Sequence, residues 1–259
     1  MTSRRTAGPA ILITIPLSHY CEKARWALDR LGFPYREKAH APLLHLVATR
    51  RHRGGSVPVL LDCGGPFTDS TDILVHADAT RGGDLLYPRD AALRQEVADL
   101  EERYDTELGT QVRRWAYAQL LSQPALLRSL WSRGVPRSEA TAMAMLAPLA
   151  RTLVRAGYRI TPEAAQRSLA RVRDVCAQVA DRLRDGRPFL AGDRFTAADL
   201  TFASLLAPMV LPAECRAVQP ALDELPAAMR EEVLRMRDTD AGRFALRMFS
   251  QERDRRPAG

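Results

Sequence analysis

Ser18 is the first residue whose type and position could do chemistry. It precedes a stretch in which Cys21, Ala24 and Leu28 recur at helical spacing, so its side chain can cap that helix. Its hydroxyl can also donate a hydrogen bond to a bound thiolate, and the partial positive charge of a helix N-terminus favours the same anion. Both effects lower the pKa of a thiol held there, and they are compatible with simple capping.

Another predicted helix begins at Asp69-Ser70-Thr71-Asp72-Ile73, with acidic and hydroxyl side chains in its first turn. The free N–H groups at such a helix N-terminus can hold an anion. A plain helix cap is the simpler interpretation. Between the two helices, Val57 and Pro58 begin an apolar run, where a proline at the start of a strand is ordinary.

Short strands and helices alternate around these residues. The β-branched run over residues 10–15 predicts a buried strand. Further strands are predicted over 33–38, 57–61 and 66–68, with helices over 18–32, 42–51 and 69–79. The order β-α-β-α-β-β-α predicts a small mixed sheet covered by helices. Arg81-Gly-Gly-Asp84 and Pro88 indicate a domain boundary after it.

Only helices are predicted beyond that boundary, over residues 90–121, 138–157, 162–185, 197–206 and 225–235. The start of the fourth of these helices carries the most specific sequence signal. Thr196 can cap it, Asp199 can bond back to the cap, and Phe195 can pack on Leu200. This arrangement is a capping box with a hydrophobic staple. It is informative about the fold and says nothing about catalysis.

Composition excludes several classes of protein. A hydrophobic content of 46% supports a packed core. The net charge of +7 favours anions, but no nucleic-acid-binding module accompanies it. The four cysteines form no CxxC pair, which predicts reduced thiols and no zinc site. The longest stretch without Asp, Glu, Lys, Arg or His has 14 residues, fewer than the ~20 that span a bilayer, so we expect a cytoplasmic protein without a membrane anchor.

The stretches that begin at Ser18, Val57 and Asp69, in this order, resemble the glutathione S-transferase family of cytosolic, bacterial type, with serine at the thiol-activating position. The resemblance extends over residues 10–249. It implies an α/β plus all-α fold, with a thioredoxin-like glutathione-binding domain over 10–80, an all-helical C-terminal domain over 90–249 and a flexible tail over 250–259.

The resemblance also assigns the site residues. Ser18 would activate the glutathione thiol, and Val57, before a cis Pro58, would pair with the cysteinyl backbone. Ser70 would hold the γ-glutamyl carboxylate and Asp69 the γ-glutamyl ammonium. The family more often has Glu or Gln at the position of Asp69. Glutathione would be a co-substrate, and no metal is implied.

Other assignments stay open. Cys21 is interpreted as a core residue on the apolar face of its helix, because buried cysteine behaves as a small hydrophobe. The side chain that would hold the glycyl carboxylate is not decided among His40, His45 and Arg50 to Arg53. The electrophile pocket is expected on the first long helix of the C-terminal domain, near Arg103, Tyr104, Arg114, Trp115 and Tyr117.

The function implied is transfer of glutathione to a small hydrophobic electrophile, a detoxification reaction, in a homodimer that binds neither nucleic acid nor membranes. Three alternatives remain. One is a glutathione-dependent isomerase, dehalogenase or reductase, and a second is a non-catalytic binding protein of the same fold. The third is thiol-disulfide exchange at Cys21, which lacks a partner cysteine at CxxC spacing.

Overall fold

The computed structural model describes residues 9–52 and 54–255, which form a small sheet with helices followed by a group of helices. The strands are β1 (Ala10–Thr14), β2 (Tyr35–Ala39), β3 (Val59–Asp62) and β4 (Gly65–Phe67). The helices of this first domain are α1 (His19–Arg30), α2 (His45–Arg50) and α3 (Ser70–Thr80). The predicted fold class is confirmed.

The sheet has the order β2-β1-β3-β4 and mixes two directions. β1 pairs in parallel with β2, with Ala10 opposite Tyr35, and antiparallel with β3, with Ile13 opposite Val59. β4 pairs antiparallel with β3. Since β1 is central, most of its residues are buried, which explains its nearly uninterrupted apolar sequence. A short loop of four residues joins the end of β1, at the centre of the sheet, to the start of α1.

The second domain is helical throughout the part of the chain that the structure describes. Its helices are α4 (Ala91–Arg103), α5 (Thr110–Leu120), α6 (Pro124–Ser132), α7 (Arg137–Gly157), α8 (Pro162–Arg182), α9 (Ala197–Val210), α10 (Ala227–Arg237) and α11 (Asp240–Glu252). Nearly every residue of α9 is buried, so this helix forms the centre of the domain. The predicted capping box of Thr196 and Asp199 is present at its start.

Two helices were not predicted, and one predicted helix is interrupted. The two helices that were not predicted are α6 and α11, and both are amphipathic. The stretch 90–121 is divided into α4 and α5 by a π-helical turn over Tyr104–Gly109. A π turn takes more residues than an α-helical turn, so the face of α5 that meets the sheet domain is shifted relative to α4.

α1 connects the two domains. All eight residues from Cys21 to Leu28 are buried, including Glu22, Lys23 and Arg25. The Trp26 indole contacts Phe249 of α11 at 4.6 Å between ring centroids. A helix buried on all sides holds its N-terminus in a fixed position, between the sheet and the second domain.

The predicted flexible tail over 250–259 begins too early. Residues 250–252 belong to α11, and the fully buried Arg253 donates from Nε to Glu22 Oε1 at 2.7 Å. The reason is that the carboxylate of Glu22, buried in α1, requires a cation, and the end of the chain supplies it. Residues 256–259 lie outside the described residues.

Within the described ranges, no helix combines the length and apolar composition that crossing a bilayer requires.

We predict that Arg253→Ala lowers the free energy of unfolding by about 3 kcal/mol, because Glu22 stays buried without its principal cation. Arg184→Ala is the matched control. Arg184 pairs with Asp181, but its side chain is 80% exposed, so its loss should cost less than about 1 kcal/mol. Urea unfolding of the full chain measures both. Equal, small losses would contradict the assigned role of Arg253.

Candidate functional site

The loop from β1 to α1 presents the Ser18 hydroxyl at a helix N-terminus. Ser18 is the N-cap of α1, and its Oγ accepts a hydrogen bond from Cys21 N at 3.3 Å. Its own O–H donates to none of the carbonyl or carboxylate oxygens of the described residues. Burial raises the pKa of the Cys21 thiol, and the contact with the Ser18 side chain lowers it in part. Ser18 is half-buried, so it caps the helix and its hydroxyl can turn towards a bound anion.

The loop before β3 lies beside Ser18. The Val57–Pro58 peptide bond is cis, as predicted. Pro58 is buried, and Val57 is half-buried. Ser18 and Val57 line the same cavity, so the structure brings these two predicted site residues together.

The start of α3 has the predicted capping arrangement. Asp69 is the N-cap, and its Oδ1 accepts from Thr71 N at 2.8 Å and from Asp72 N at 3.4 Å. Ser70 follows in the first turn and is only 4% exposed. Neither side chain lines the cavity that contains Ser18. Asp69 is nevertheless close enough to Tyr20, in the first turn of α1, to contribute to the raised pKa of that phenol, which burial raises most.

A buried ion cluster joins the starts of α1 and α3. Lys23 Nζ lies 2.6 Å from Asp105 Oδ2 and 2.9 Å from Glu101 Oε1, and it donates to Thr71 Oγ1 at 2.9 Å. Tyr87 donates to the second oxygen of Glu101 at 2.6 Å. Burial opposes the charge of Lys23, but the two carboxylates keep its pKa above the ordinary value. The cluster fixes Thr71, and with it the first turn of α3, against α1.

A cavity of about 310 Å³ lies at the interface between the two domains. Its lining residues in the first domain are Ile15, Leu17, Ser18, His19, His45, Gly55, Ser56 and Val57. Those in the second domain are Arg113, Ala116, Tyr117, Leu120, Tyr158, Ala207, Pro208, Leu211, Ala217, Val218, Gln219, Pro220 and Met229. The wall of the second domain is mostly apolar, which suits a hydrophobic ligand beside Ser18.

Of the residues expected around the electrophile, the structure places one in the lining of this cavity. Tyr117 lines the cavity. Arg114 does not, because its guanidinium donates to Tyr158 O at 2.9 Å and to Ser168 Oγ at 3.2 Å. Trp115 is 3% exposed and packs in the helical core.

The other two expected pocket residues also lie elsewhere. Arg103 pairs with Glu107 at 3.2 Å, and Tyr104 is buried against Phe202. The residue that sequence reasoning missed is Arg113, one position before Arg114 and directed into the cavity. One residue along an α-helix is a rotation of about 100°, so the π turn before α5 determines which arginine faces the cavity.

One of the candidates for the glycyl carboxylate lines the cavity. His45, at the start of α2, is among the lining residues. His40 instead contacts Glu139 Oε1 of α7 through Nδ1 at 2.6 Å. Arg50 and Arg51 are exposed, and neither these arginines nor His52 lines the cavity. Arg53 lies outside the described residues.

His19 is a buried lining residue that the sequence did not single out. Its Nε2 donates to the carbonyl oxygen of Gly109, in the π turn, at 3.1 Å. Burial and the nearby charge of Arg113 lower the pKa of His19 to about 3, so the ring is neutral at physiological pH. The absence of a side chain at Gly109 permits the close approach of the Tyr20 phenol, because a Cβ there would collide with it.

Cys21 lies in the core, in agreement with its interpretation as a small apolar residue. Its side chain is fully buried, and burial raises the pKa of its thiol. A buried thiol with a raised pKa is a poor nucleophile. The described residues also hold no group of His, Cys, Asp and Glu side chains arranged to bind a metal ion.

Comparison with known protein families divides the chain into the same two domains. Residues 12–84 match the model of the glutathione S-transferase N-terminal domain, and residues 162–230 match that of the C-terminal domain. Together the two matches cover more than half of the chain. No curated protein matches the sequence.

Solved structures of low sequence identity share the fold. The β-etherase LigF from Sphingobium sp. strain SYK-6 is 15% identical with a TM-score of 0.59, over 93% of this chain and 99% of that one. The glutathione transferase GSTFuA3 from Phanerochaete chrysosporium is 16% identical with a TM-score of 0.60, over 95% and 97%. Ure2p, solved in complex with glutathione, is 18% identical with a TM-score of 0.54, over 94% and 100%.

We predict that alkylation of the native protein near neutral pH modifies Cys63 and leaves Cys21 unmodified. Cys63 is exposed, whereas Cys21 and Cys176 are buried and burial raises both thiol pKa values, that of Cys176 to about 12. Peptide mass spectrometry after a brief iodoacetamide treatment measures this, with urea-unfolded protein as the control in which all cysteines react. Modification of Cys21 as fast as Cys63 would restore the hypothesis of a catalytic cysteine.

Proposed function

We propose that this chain, which belongs to the glutathione S-transferase family, binds glutathione and activates its thiol for attack on a small hydrophobic electrophile. The observation that carries the proposal is the placement of Ser18. Its hydroxyl lies at the N-terminus of a buried helix, in an interdomain cavity that also contains Val57. That Ure2p was solved in complex with glutathione and with S-hexylglutathione is in keeping with this ligand for a chain of the same fold.

The thiol would bind at Ser18. The Ser18 O–H donates to the sulfur, and the N-terminus of α1 adds partial positive charge. Both interactions are stronger for the thiolate than for the thiol, so the pKa of the bound thiol falls and more nucleophile is present at neutral pH. His19 is neutral in this range and does not take part as a cation.

The remainder of the tripeptide would extend along the edge of the first domain. The backbone of Val57 pairs with the cysteinyl residue. The first turn of α3 holds the γ-glutamyl group, with the N–H groups and hydroxyl of Ser70 on its carboxylate and Asp69 on its ammonium. His45 is the candidate for the glycyl carboxylate, because it lines the cavity whereas His40 is bonded to Glu139.

The finer properties implied by the family belong to the same proposal: a homodimer in the cytoplasm, acting in detoxification. Its alternatives are a glutathione-dependent isomerase, dehalogenase or reductase and a non-catalytic glutathione-binding protein. Retention on immobilised glutathione followed by a panel of electrophiles separates them. Retention with turnover supports the enzyme, retention without turnover on any electrophile supports the binding protein, and failure to be retained contradicts both.

We predict that Ser18→Ala raises the pKa of the bound glutathione thiol by about one to two units, because a hydrogen bond to a charged group contributes about 1.5–3 kcal/mol. Turnover near neutral pH should fall about tenfold or more, while the affinity for glutathione changes little. Titration of the thiolate absorbance of the complex measures the pKa directly. Ser18→Thr, which keeps the hydroxyl, should keep the wild-type pKa.

Cys21→Ala is the control for this experiment. It removes core volume and should lower stability while leaving the thiol pKa unchanged. The assignment of Ser18 is wrong if Cys21→Ala abolishes turnover and Ser18→Ala leaves both pKa and rate as they are.

We predict that His45→Ala weakens binding of S-methylglutathione about tenfold, the loss of roughly 1.4 kcal/mol for one hydrogen bond to a carboxylate. Burial, with a contribution from the charge of His40, lowers the pKa of free His45 to about 4. A bound carboxylate would raise that pKa, so wild-type affinity should increase as the pH falls from 7 towards 5, and His45→Ala should lose this trend. The S-methyl group removes the titrating thiol.

The matched control is Arg50→Ala, an exposed residue at the other end of the same helix, and it should bind as the wild type does. Calorimetry measures all three proteins. Weaker binding by Arg50→Ala with unchanged binding by His45→Ala would assign the glycyl carboxylate to Arg50.

A further inference from the structure

The charge on the cavity wall opposite Ser18 comes from Arg113. Of the described residues that line the cavity, Arg113 is the one with a permanent charge, and no lining residue is a carboxylate. The two lining histidines are neutral at pH 7, since their pKa values are lowered to about 3 for His19 and about 4 for His45. The cavity therefore carries a net positive charge against a mostly apolar wall.

Two aromatic rings hold the Arg113 guanidinium. Its central carbon lies 4.4 Å from the centroid of Tyr158 and 5.5 Å from that of Tyr20. Stacking on aromatic faces orients a guanidinium without consuming its hydrogen-bond donors. Arg113 forms no salt bridge within residues 9–52 and 54–255, whereas its neighbour Arg114 donates to Tyr158 O, Gln111 and Ser168. Arg113 is thus oriented and retains its planar set of N–H donors.

The surrounding wall indicates the rest of the ligand. Tyr117 and Tyr158 stand beside Arg113 with their ring centroids 5.6 Å apart, and Ala116 and Leu120 continue the same face of α5. This wall suits an aromatic ring, and the adjacent guanidinium suits a carboxylate, which it can bind through two parallel hydrogen bonds. The carboxylates of glutathione itself are assigned to the first domain, one at His45 in the cavity lining and one at Ser70, which lies outside that lining.

We propose that Arg113 determines substrate specificity by binding a carboxylate on the electrophile, so that the substrate class is aromatic acids that carry a leaving group. This inference rests on the proposed function. In the reaction with 4-chloro-3-nitrobenzoate, the glutathione sulfur forms a bond to the ring carbon that bears chlorine. The carbon–chlorine bond then breaks, chloride leaves with the electron pair, and the thiol proton passes to solvent.

Two product analogues test this without requiring turnover: S-(4-carboxy-2-nitrophenyl)glutathione and S-(4-carbamoyl-2-nitrophenyl)glutathione. They differ only in the charge of the group directed at Arg113. Calorimetry on the full chain should show the acid binding at least about tenfold more tightly than the amide, the effect of one charge-assisted pair. Arg113→Gln should reduce this preference to about twofold or less, and Arg113→Lys should retain part of it.

Arg128→Gln is the matched control, since it removes an exposed arginine of the same domain that does not line the cavity, and it should keep the wild-type preference. The proposal is overturned if wild-type protein binds the acid and the amide equally, or if Arg113→Gln weakens glutathione itself as much as the acid conjugate. Glutathione binding measured alone tests the proposed function separately. If glutathione binds but the wild-type protein does not prefer the acid to the amide, only the assignment of Arg113 fails. If glutathione does not bind, both the proposed function and the assignment of Arg113 fail.

Discussion

The burial of α1 is the constraint on which the rest of the structure depends. A helix that carries Glu22, Lys23 and Arg25 in its buried segment needs a partner of opposite charge for each, because an unpaired buried charge is strongly destabilising. Lys23 binds two carboxylates of the second domain, Glu22 binds the Arg253 guanidinium, and Arg25 binds Glu37 of β2. These partners come from both domains and from the end of the chain, so they fix α1 and its N-terminus relative to all of them.

The fixed position of α1 determines where its N-terminal side chains lie in the cavity. Ser18 lies at its N-terminus and Tyr20 in its first turn, where the phenol donates to the backbone of Asp105 at 2.6 Å. The same first turn contacts Gly109 through His19, so the π turn is held against α1. The position of the π turn sets the position of α5, which begins directly after it. The wall of the second domain is thereby positioned opposite Ser18. The interactions that stabilise the domain interface are also those that determine the shape of the cavity.

The sequence alone predicted the features that depend on near neighbours. The caps at Ser18, Asp69 and Thr196 are contacts over two or three residues, so residue types and spacing suffice to predict them. The face of α5 could not be predicted in the same way, because the preceding π turn shifts the helical period and exchanges Arg114 for Arg113. Arg253 was missed for another reason: its partner Glu22 is 231 residues away, and local sequence carries no signal of such a pair.

The central claim is that the thiol of glutathione binds at Ser18, at the N-terminus of α1. A crystal structure of the full chain grown with glutathione tests it most directly. We expect the tripeptide along the loop of Val57 and Pro58, with its sulfur within hydrogen-bond distance of Ser18 Oγ, about 3.5 Å or less for a sulfur acceptor. Glutathione bound with its sulfur away from Ser18, or an interdomain cavity without glutathione at saturating concentration, would contradict the account.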